Sequence, residues 1–137
     1  MKLGKESRYA IDGLLVLAKK RSGTIMQLQD IADAAGALAN FLAKTFQKLN
    51  RANIVTSSRG AVRGYALARQ PNALKVKDIF VAVEGTDIFD RCLFWSDRCA
   101  DESPCPMHFR CKPARRTIAG LMQRMTLADL AADNRRR

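Results

Sequence analysis

The sequence lacks any long apolar run, and this absence limits where the protein acts. No stretch of its 137 residues approaches the roughly 20 apolar residues that a membrane-spanning helix requires. The first residues, Met1 to Glu6, lack the apolar core of a secretory signal peptide. We therefore expect a cytoplasmic protein without a membrane partner, whose cysteines are kept reduced.

Signatures of catalysis are also scarce. The chain holds a single histidine, His108, and no evident partner orients it as the base for a nucleophilic cysteine. The sequence contains neither a Gly-rich phosphate-binding loop nor the ligand spacing of a metal-dependent hydrolase. We therefore expect that the protein is not an enzyme and has no small-molecule substrate.

Acidic residues are missing from a long internal stretch. No Asp or Glu occurs between Asp33 and Asp78, whereas eight Lys and Arg residues do. Residues 1–70 carry 12 basic and 4 acidic side chains, and thus +8 of the total net charge of +11. Such a stretch is typical of a surface that faces phosphates, although a solvated basic face has the same composition. The charge alone indicates a polyanionic partner.

The apolar residues of the first 51 positions recur with helical spacing. This pattern predicts helices at about residues 7–20, 27–35 and 37–51, with a turn at Gly36. Two short helices joined by a tight turn form a helix-turn-helix, whose second helix enters the major groove of DNA. The predicted apolar stripe of that helix consists of Leu38, Phe41, Leu42, Phe46 and Leu49.

The opposite face of the same helix is polar. Its side chains, which we expect to face solvent, are Asn40, Lys44, Gln47, Lys48 and Arg51. Asn pairs with adenine, and Lys with guanine or phosphate, in the major groove. We therefore expect base or phosphate contacts from Asn40, Lys44 and Gln47.

A basic hairpin is predicted directly after the helix-turn-helix. Short strands are expected at residues 54–57 and 65–67, and the loop between them holds two Gly and two Arg residues. A hairpin in this position is a wing. Its residues Arg59, Gly60 and Arg63 are placed to reach phosphates or a narrow minor groove.

The second half of the chain predicts further helices, separated by a loop. Helical patterns recur at about residues 76–83, 114–125 and 127–132, and Thr126 with Asp129 resembles the N-cap of the last helix. The apolar stripe of residues 114–125 is narrow, which suits packing against a partner helix.

All four cysteines and the only histidine lie within twenty residues, at Cys92, Cys99, Cys105, His108 and Cys111. Such clustering favours ligation of a metal or cluster over a metal-free thiol switch or a packing role. Structural zinc sites usually contain a close pair of ligands, whereas the first two gaps here are six and five residues wide. Wide spacing suits an iron–sulfur cluster held by a loop, but zinc stays open as an alternative.

Several short motifs lie in one collinear order along nearly the whole chain. They are Met1-Lys2-Leu3, Arg8-Tyr9-Ala10, Asp30-Ile31-Ala32, Ser58-Arg59-Gly60, Gly64-Tyr65, Cys92, Cys99, Cys105-Pro106-Met107-His108 and Thr126-Leu127-Ala128-Asp129-Leu130. In this order they resemble bacterial winged-helix regulators of the IscR/NsrR type.

The resemblance implies a homodimeric transcription factor that acts as a repressor on a double-stranded DNA operator under the control of an iron–sulfur cluster. The expected fold is mainly α with a small β-hairpin wing: a winged helix-turn-helix domain plus a long C-terminal dimerisation helix. The implied divisions are the DNA-binding domain at 1–83, a Cys-rich cluster-binding loop at 84–112, the dimerisation helix with a short final helix at 113–132, and a basic tail at 133–137.

The resemblance also assigns the cluster ligands. Cys92, Cys99 and Cys105 match the three thiolates, and His108 matches the fourth ligand of the IscR type. Cys111 is a less favoured fourth ligand. A same-fold regulator that uses these residues as a thiol redox switch or zinc site, without iron–sulfur, is the alternative.

The chain departs from the family pattern at several positions. The recognition helix begins with Leu38, Ala39 and Asn40, where a Ser-rich start is usual, so the target sequence does not transfer. Some relatives take a ligand from an acidic residue near the N-terminus of the partner chain, but Arg8 stands there in this sequence. Pro113 lies where the long helix runs, and we expect it to kink or restart that helix.

Overall fold

The computed structural model describes residues 3–92 and 100–133. The elements over these residues are α1 (Lys5–Ala18), α2 (Leu28–Ala35), α3 (Ala39–Arg51), β1 (Val55–Arg59), β2 (Arg63–Leu67), α4 (Val76–Glu84), α5 (His108–Arg124) and α6 (Leu127–Asp133). Short 3-10 turns occur at Pro71–Ala73 and Ile88–Asp90. The predicted fold, mainly helical with one two-stranded hairpin, is confirmed. No helix in the described ranges is long and apolar enough to span a membrane.

The helix-turn-helix is formed by α2 and α3. Helix α2 ends at Gly36, whose φ of +69° is a left-handed conformation that glycine adopts at little cost. The amide of Ala37 then donates to the carbonyl of Ala32, which closes the turn. The turn predicted at Gly36 is therefore confirmed.

The hydrophobic core lies between α1, α2, α3 and α4. Its fully buried side chains include Leu14, Ile31, Leu42, Phe46, Leu49 and Ile79. The prediction that Leu38 and Phe41 also face the core is wrong, because 63% and 52% of their surfaces are exposed. Leu38 precedes the first residue of α3, and Phe41 lies on the flank of the helix, where its ring stacks on Tyr9 at 6.3 Å between centroids.

The hairpin pairs Val55 with Leu67 at its base and Arg59 with Arg63 at its tip. Met26, which precedes α2, extends the pairing, because it exchanges backbone hydrogen bonds of 2.9 and 2.8 Å with Tyr65. Gly64 has a φ of +147°, and a Cβ at this position would collide with the carbonyl of Met26. The wing is therefore fixed to the helical body at its base.

Helix α5 begins at His108, earlier than predicted, and runs through Pro113 to Arg124. The expected restart at Pro113 is therefore wrong. Proline at this sixth helical position removes a single N–H donor, and the other amides of the helix continue the hydrogen-bonding pattern.

Helix α6 returns to the core formed by α1 to α4. The amide of Asp129 donates to the Thr126 hydroxyl (3.2 Å), and the amide of Thr126 donates to the Asp129 carboxylate (2.9 Å). This reciprocal capping box confirms the predicted N-cap. Val76 N–H donates to Met125, Leu127 N–H donates to Leu74, and the Leu127 side chain is fully buried in the core.

Candidate DNA-reading surface and cysteine site

Three candidate DNA contacts lie on one exposed face of α3. Asn40, Lys44 and Gln47 are separated by four and three residues, so their side chains project from the same side of the helix. All three are exposed, and no acidic residue lies in the first turn of α3. This surface is therefore accessible and basic, as a recognition helix requires.

Lys48, which was predicted to face solvent, is 40% exposed but also contacts two other helices. Its ammonium group lies 3.0 Å from Oε2 of Glu6 on α1 and donates to the carbonyl of Val83 on α4 at 3.3 Å. Glu6 also accepts a hydrogen bond from Thr45 at 3.4 Å. Lys48 thus connects three helices and is not oriented for DNA contact.

The wing presents a basic tip. Arg59 and Arg63 face each other across the last pair of the hairpin, and Gly60 lies in the exposed turn between them. Neither arginine forms an ion pair with any residue in the described ranges. Both guanidinium groups are therefore available for phosphate or groove contacts.

Two of the predicted cluster ligands lie together. The Sγ atoms of Cys92 and Cys105 are 3.7 Å apart, with Cys92 buried and Cys105 half-buried. A disulfide requires about 2.05 Å. Two thiolates bound to one tetrahedral metal at about 2.3 Å each are separated by about 3.8 Å, which the observed distance fits.

Of the other two cysteines, the structure describes only Cys111. Cys99 lies outside the described residues, as do residues 134–137 of the predicted basic tail. Cys111 is half-buried on α5, one turn after His108, and makes no sulfur contact within the part of the chain that the structure describes. Across that same part, no three His, Cys, Asp or Glu side chains converge as a complete metal site.

His108 is fixed by a carboxylate. Only 1% of its surface is exposed, and its Nε2 lies 2.6 Å from Oδ1 of Asp101. Lys112 donates to both oxygens of the same carboxylate at 2.7 and 2.8 Å. The hydrogen bond from Lys112, which has the larger effect, and the one from His108 lower the pKa of Asp101 to about 2. A metal-ligating His commonly holds its other ring nitrogen against a carboxylate in this way. Because Nε2 of His108 is held by Asp101, a metal could bind this histidine without breaking that contact only through Nδ1.

Two arginines that the sequence analysis did not single out hold the segment before Cys92. Arg91 Nη2 donates to the carbonyl of Glu84 (2.9 Å) and to Asp87 (2.7 Å). Its contact with Asp87 raises the pKa of Arg91 above its usual value. Arg115, only 5% exposed, donates through Nη1 to the carbonyls of Phe89 and Arg91 at 3.4 and 3.3 Å.

These contacts link the cysteine site to both neighbouring helices. Arg91, the residue before Cys92, donates a hydrogen bond to Glu84 at the end of α4. Arg115 of α5 donates a hydrogen bond to the carbonyl of Arg91. The carboxylate of Glu84 also accepts hydrogen bonds from the Ser7 hydroxyl (2.7 Å) and the Gly4 amide (3.1 Å) of the N-terminal segment. A buried arginine is rarely found without hydrogen-bond partners. The partners of Arg115 are backbone carbonyls, which no sequence pattern identifies.

Comparison with known proteins identifies the family. The profile of the Rrf2 family, described as iron-dependent transcriptional regulators, matches residues 3–133. The chain is 32% identical to the HTH-type transcriptional regulator ORF2 of Azotobacter vinelandii, over 96% of this chain and 80% of that protein. It is 28% identical to the HTH-type transcriptional regulator IscR of Vibrio parahaemolyticus, over 98% and 79% of the two chains.

Among solved structures, the chain is similar to CymR, the global cysteine regulator of Bacillus subtilis. The two have a TM-score of 0.78 and 27% identity, over 96% of this chain and 97% of CymR. These relatives are regulators and not enzymes, in agreement with the scarcity of catalytic signatures. The winged helix-turn-helix, the exposed basic face of α3 and the matches over nearly the full length together show that this chain is a transcriptional regulator of the Rrf2 family.

Proposed function

We propose that the chain is a repressor whose affinity for its DNA operator is controlled by an iron–sulfur cluster held by Cys92, Cys99, Cys105 and His108. The observation that carries the proposal is the pair of Cys92 and Cys105 sulfurs, which lie 3.7 Å apart. Thiolates with an occasional histidine are the ligands of iron–sulfur clusters. The similarity to IscR supports the same assignment.

The two described cysteines fit such a group. Cys92 and Cys105 supply two thiolates at the separation that one tetrahedral iron requires. Asp101 fixes the imidazole of His108, which does not converge with the two sulfurs in the described residues and would have to approach them to become the fourth ligand. Cys99 is the third thiolate by its place in the sequence. A bound iron–sulfur cluster supplies a centre that gains or loses electrons and reacts with oxidants.

A short chain of contacts connects the cysteine site to the DNA-reading helix. Arg91, next to Cys92, donates to the carbonyl of Glu84 at the end of α4. Lys48 of α3 donates to the carbonyl of Val83, one residue earlier. We propose that a change in the position of Cys92 alters the orientation of α3 through these two hydrogen bonds.

The protein is proposed to act as a cytoplasmic homodimer, with α5 as the dimerisation helix. Within the described chain this helix buries only His108 and Arg115. Its apolar residues Phe109 and Leu121 are 67% and 48% exposed, which favours coverage by the same helix of a second copy. Two recognition helices would then enter successive major grooves of one operator.

A metal-free thiol switch is the second candidate, and the same sulfur pair favours it. Cys92 and Cys105 need to approach by less than 2 Å to form a disulfide. The similarity to CymR, the global cysteine regulator of B. subtilis, supports a thiol-based signal as well. A zinc ion bound by the same residues is a third form of the site.

Metal content and an absorption spectrum distinguish these functions. We expect protein purified without oxygen to be coloured and to contain iron and acid-labile sulfide in equal amounts. Colourless, iron-free native protein would contradict cluster control. Stoichiometric zinc would then support the zinc site, and reversible loss of two titratable thiols on oxidation would support the thiol switch.

A cysteine substitution tests the ligand assignment. Cys99→Ala is expected to abolish the visible absorption, because it removes one of three thiolates. Cys111→Ala is the matched control and is expected to keep the absorption. A coloured Cys99→Ala protein with unchanged iron content would reject Cys99 as a ligand.

A further inference from the structure

The recognition helix begins with an exposed leucine. Leu38 is the N-cap residue of α3, and its 63% exposure is higher than that of any other large apolar side chain in residues 3–83. A side chain that stays this exposed contributes little burial energy to the stability of the unbound protein.

Leucine is also a poor residue for this position. Ser, Thr, Asn and Asp are preferred at an N-cap because their side chains accept a hydrogen bond from the first turn of the helix. Leu38 cannot do so, and no side chain caps α3. The position therefore combines exposed apolar surface with an uncapped helix start, and neither feature contributes to stability.

The surroundings of Leu38 indicate what covers it. It lies two residues before Asn40, at the N-terminal end of the helix that carries Asn40, Lys44 and Gln47. In helix-turn-helix proteins, the N-terminal residues of the recognition helix contact base edges in the major groove. The apolar group exposed in that groove is the C5-methyl of thymine.

We propose that Leu38 selects thymine by packing against this methyl group in the major groove. The inference rests on DNA binding by α3 and is independent of the iron–sulfur proposal. It explains why an apolar side chain occupies a position where a polar cap would stabilise the helix. It also adds an apolar contact to the polar ones expected from Asn40, Lys44 and Gln47.

Replacement of thymine by deoxyuridine tests the proposal, because it removes only the methyl group. The probe is the duplex that the anaerobically purified wild-type protein selects from a random-sequence library, with each thymine replaced in turn. Fluorescence anisotropy measures the Kd. At one thymine of each half-site, we expect the replacement to weaken wild-type binding about four-fold per recognition helix, the value for one buried methyl group.

Variants at position 38 separate recognition from folding. Leu38→Ala and Leu38→Ser are expected to bind the thymine and deoxyuridine duplexes equally, and Leu38→Met to restore the preference. Leu38→Ser is expected to raise Tm by about 2–4 °C, because serine caps α3. A higher Tm with a lost preference cannot result from misfolding.

The matched control is Leu3→Ala, which removes an exposed leucine from the N-terminal segment, outside α3, the wing and α5. It is expected to leave the ratio of the two Kd values unchanged. The proposal is overturned if no thymine methyl affects wild-type binding, or if Leu38→Ala keeps the wild-type ratio. Failure to enrich any duplex would contradict sequence-specific binding itself, and thereby this inference as well.

Discussion

The DNA-reading end of the chain and its cysteine-bearing segment are held in place by different kinds of contact. Helices α1 to α4 bury aliphatic and aromatic side chains, among them Leu14, Leu42 and Phe46, in one continuous core. Helix α5 has 17 residues but buries only His108 and Arg115, both of them polar. The segment before Cys92 is held by hydrogen bonds from Arg91 and Arg115.

This difference suits the two tasks of a regulator. A core of packed apolar side chains has few alternative arrangements, so the reading surface keeps its shape. Regions with few buried apolar contacts and many polar contacts unfold locally at a lower free-energy cost than the core does. The sensor proposed at Cys92 and Cys105 needs such a region, because a signal with a free energy of a few kcal/mol has to change its conformation.

Truncation of a leucine in each region is the strongest test of the comparison. Leu42→Ala is expected to lower the free energy of unfolding by about 2–5 kcal/mol, because Leu42 is fully buried in the core. Leu121→Ala on α5 is expected to cost less, because Leu121 is 48% exposed within one chain and only the proposed second copy covers it. Urea unfolding at one protein concentration measures both. Equal losses would show that α5 is packed as tightly as the DNA-reading end.

A pair of glycine substitutions in the wing has a somewhat smaller expected effect. Gly64→Ala is expected to destabilise the protein by about 2–4 kcal/mol, because the new Cβ meets the Met26 carbonyl at a φ that favours glycine. Gly60→Ala, in open space at the tip, is expected to cost less than about 0.5 kcal/mol. Thermal unfolding compares the two. A stable Gly64→Ala variant would mean that the base of the wing is not fixed.

The polar contacts at the cysteine segment are tested by Arg115→Met. This substitution leaves the carbonyls of Phe89 and Arg91 without their donor, which costs about 1–3 kcal/mol locally. We expect faster amide hydrogen exchange in residues 88–92 and α5, with little change in α1 to α3. Arg116→Met, at an exposed neighbouring position, is the control. Uniform acceleration across the whole chain would show that the two regions unfold as one unit.

The smallest expected effect is on DNA affinity. Arg59→Ala is expected to weaken binding about ten-fold and to reduce the salt dependence of log K by about 1 for each wing that contacts a phosphate. Arg110→Ala, an equally exposed basic residue on α5, is expected to leave both unchanged. Titrations at several salt concentrations decide this. Unchanged affinity in Arg59→Ala would exclude the wing from the DNA contacts.

Features with a local cause could be predicted from the sequence. Gly36 marks the turn of the helix-turn-helix, and Thr126 with Asp129 marks the start of α6, because each motif satisfies backbone groups only a few residues away. The clustering of cysteines likewise pointed to the site where Cys92 and Cys105 now lie in contact.

Features with a distant cause could not be predicted. Lys48 reads as a solvent-facing residue of α3, and only the fold brings it to Glu6, 42 positions away. Arg115 has backbone carbonyls as partners, which leave no trace in residue types. The start of α5 was placed too late because Pro113 is a common helix terminator, although a single proline does not end this helix.

The return of α6 to the core has a consequence for how the chain tolerates cleavage. The buried Leu127 and the pairing of Val76 with Met125 join the last helix to the first four. We therefore expect a single backbone cut between Gly85 and Met107 to leave two fragments that stay associated without a covalent link. Each half expressed alone would lack part of the shared core, and co-expression of the two is expected to reconstitute a protein that binds DNA.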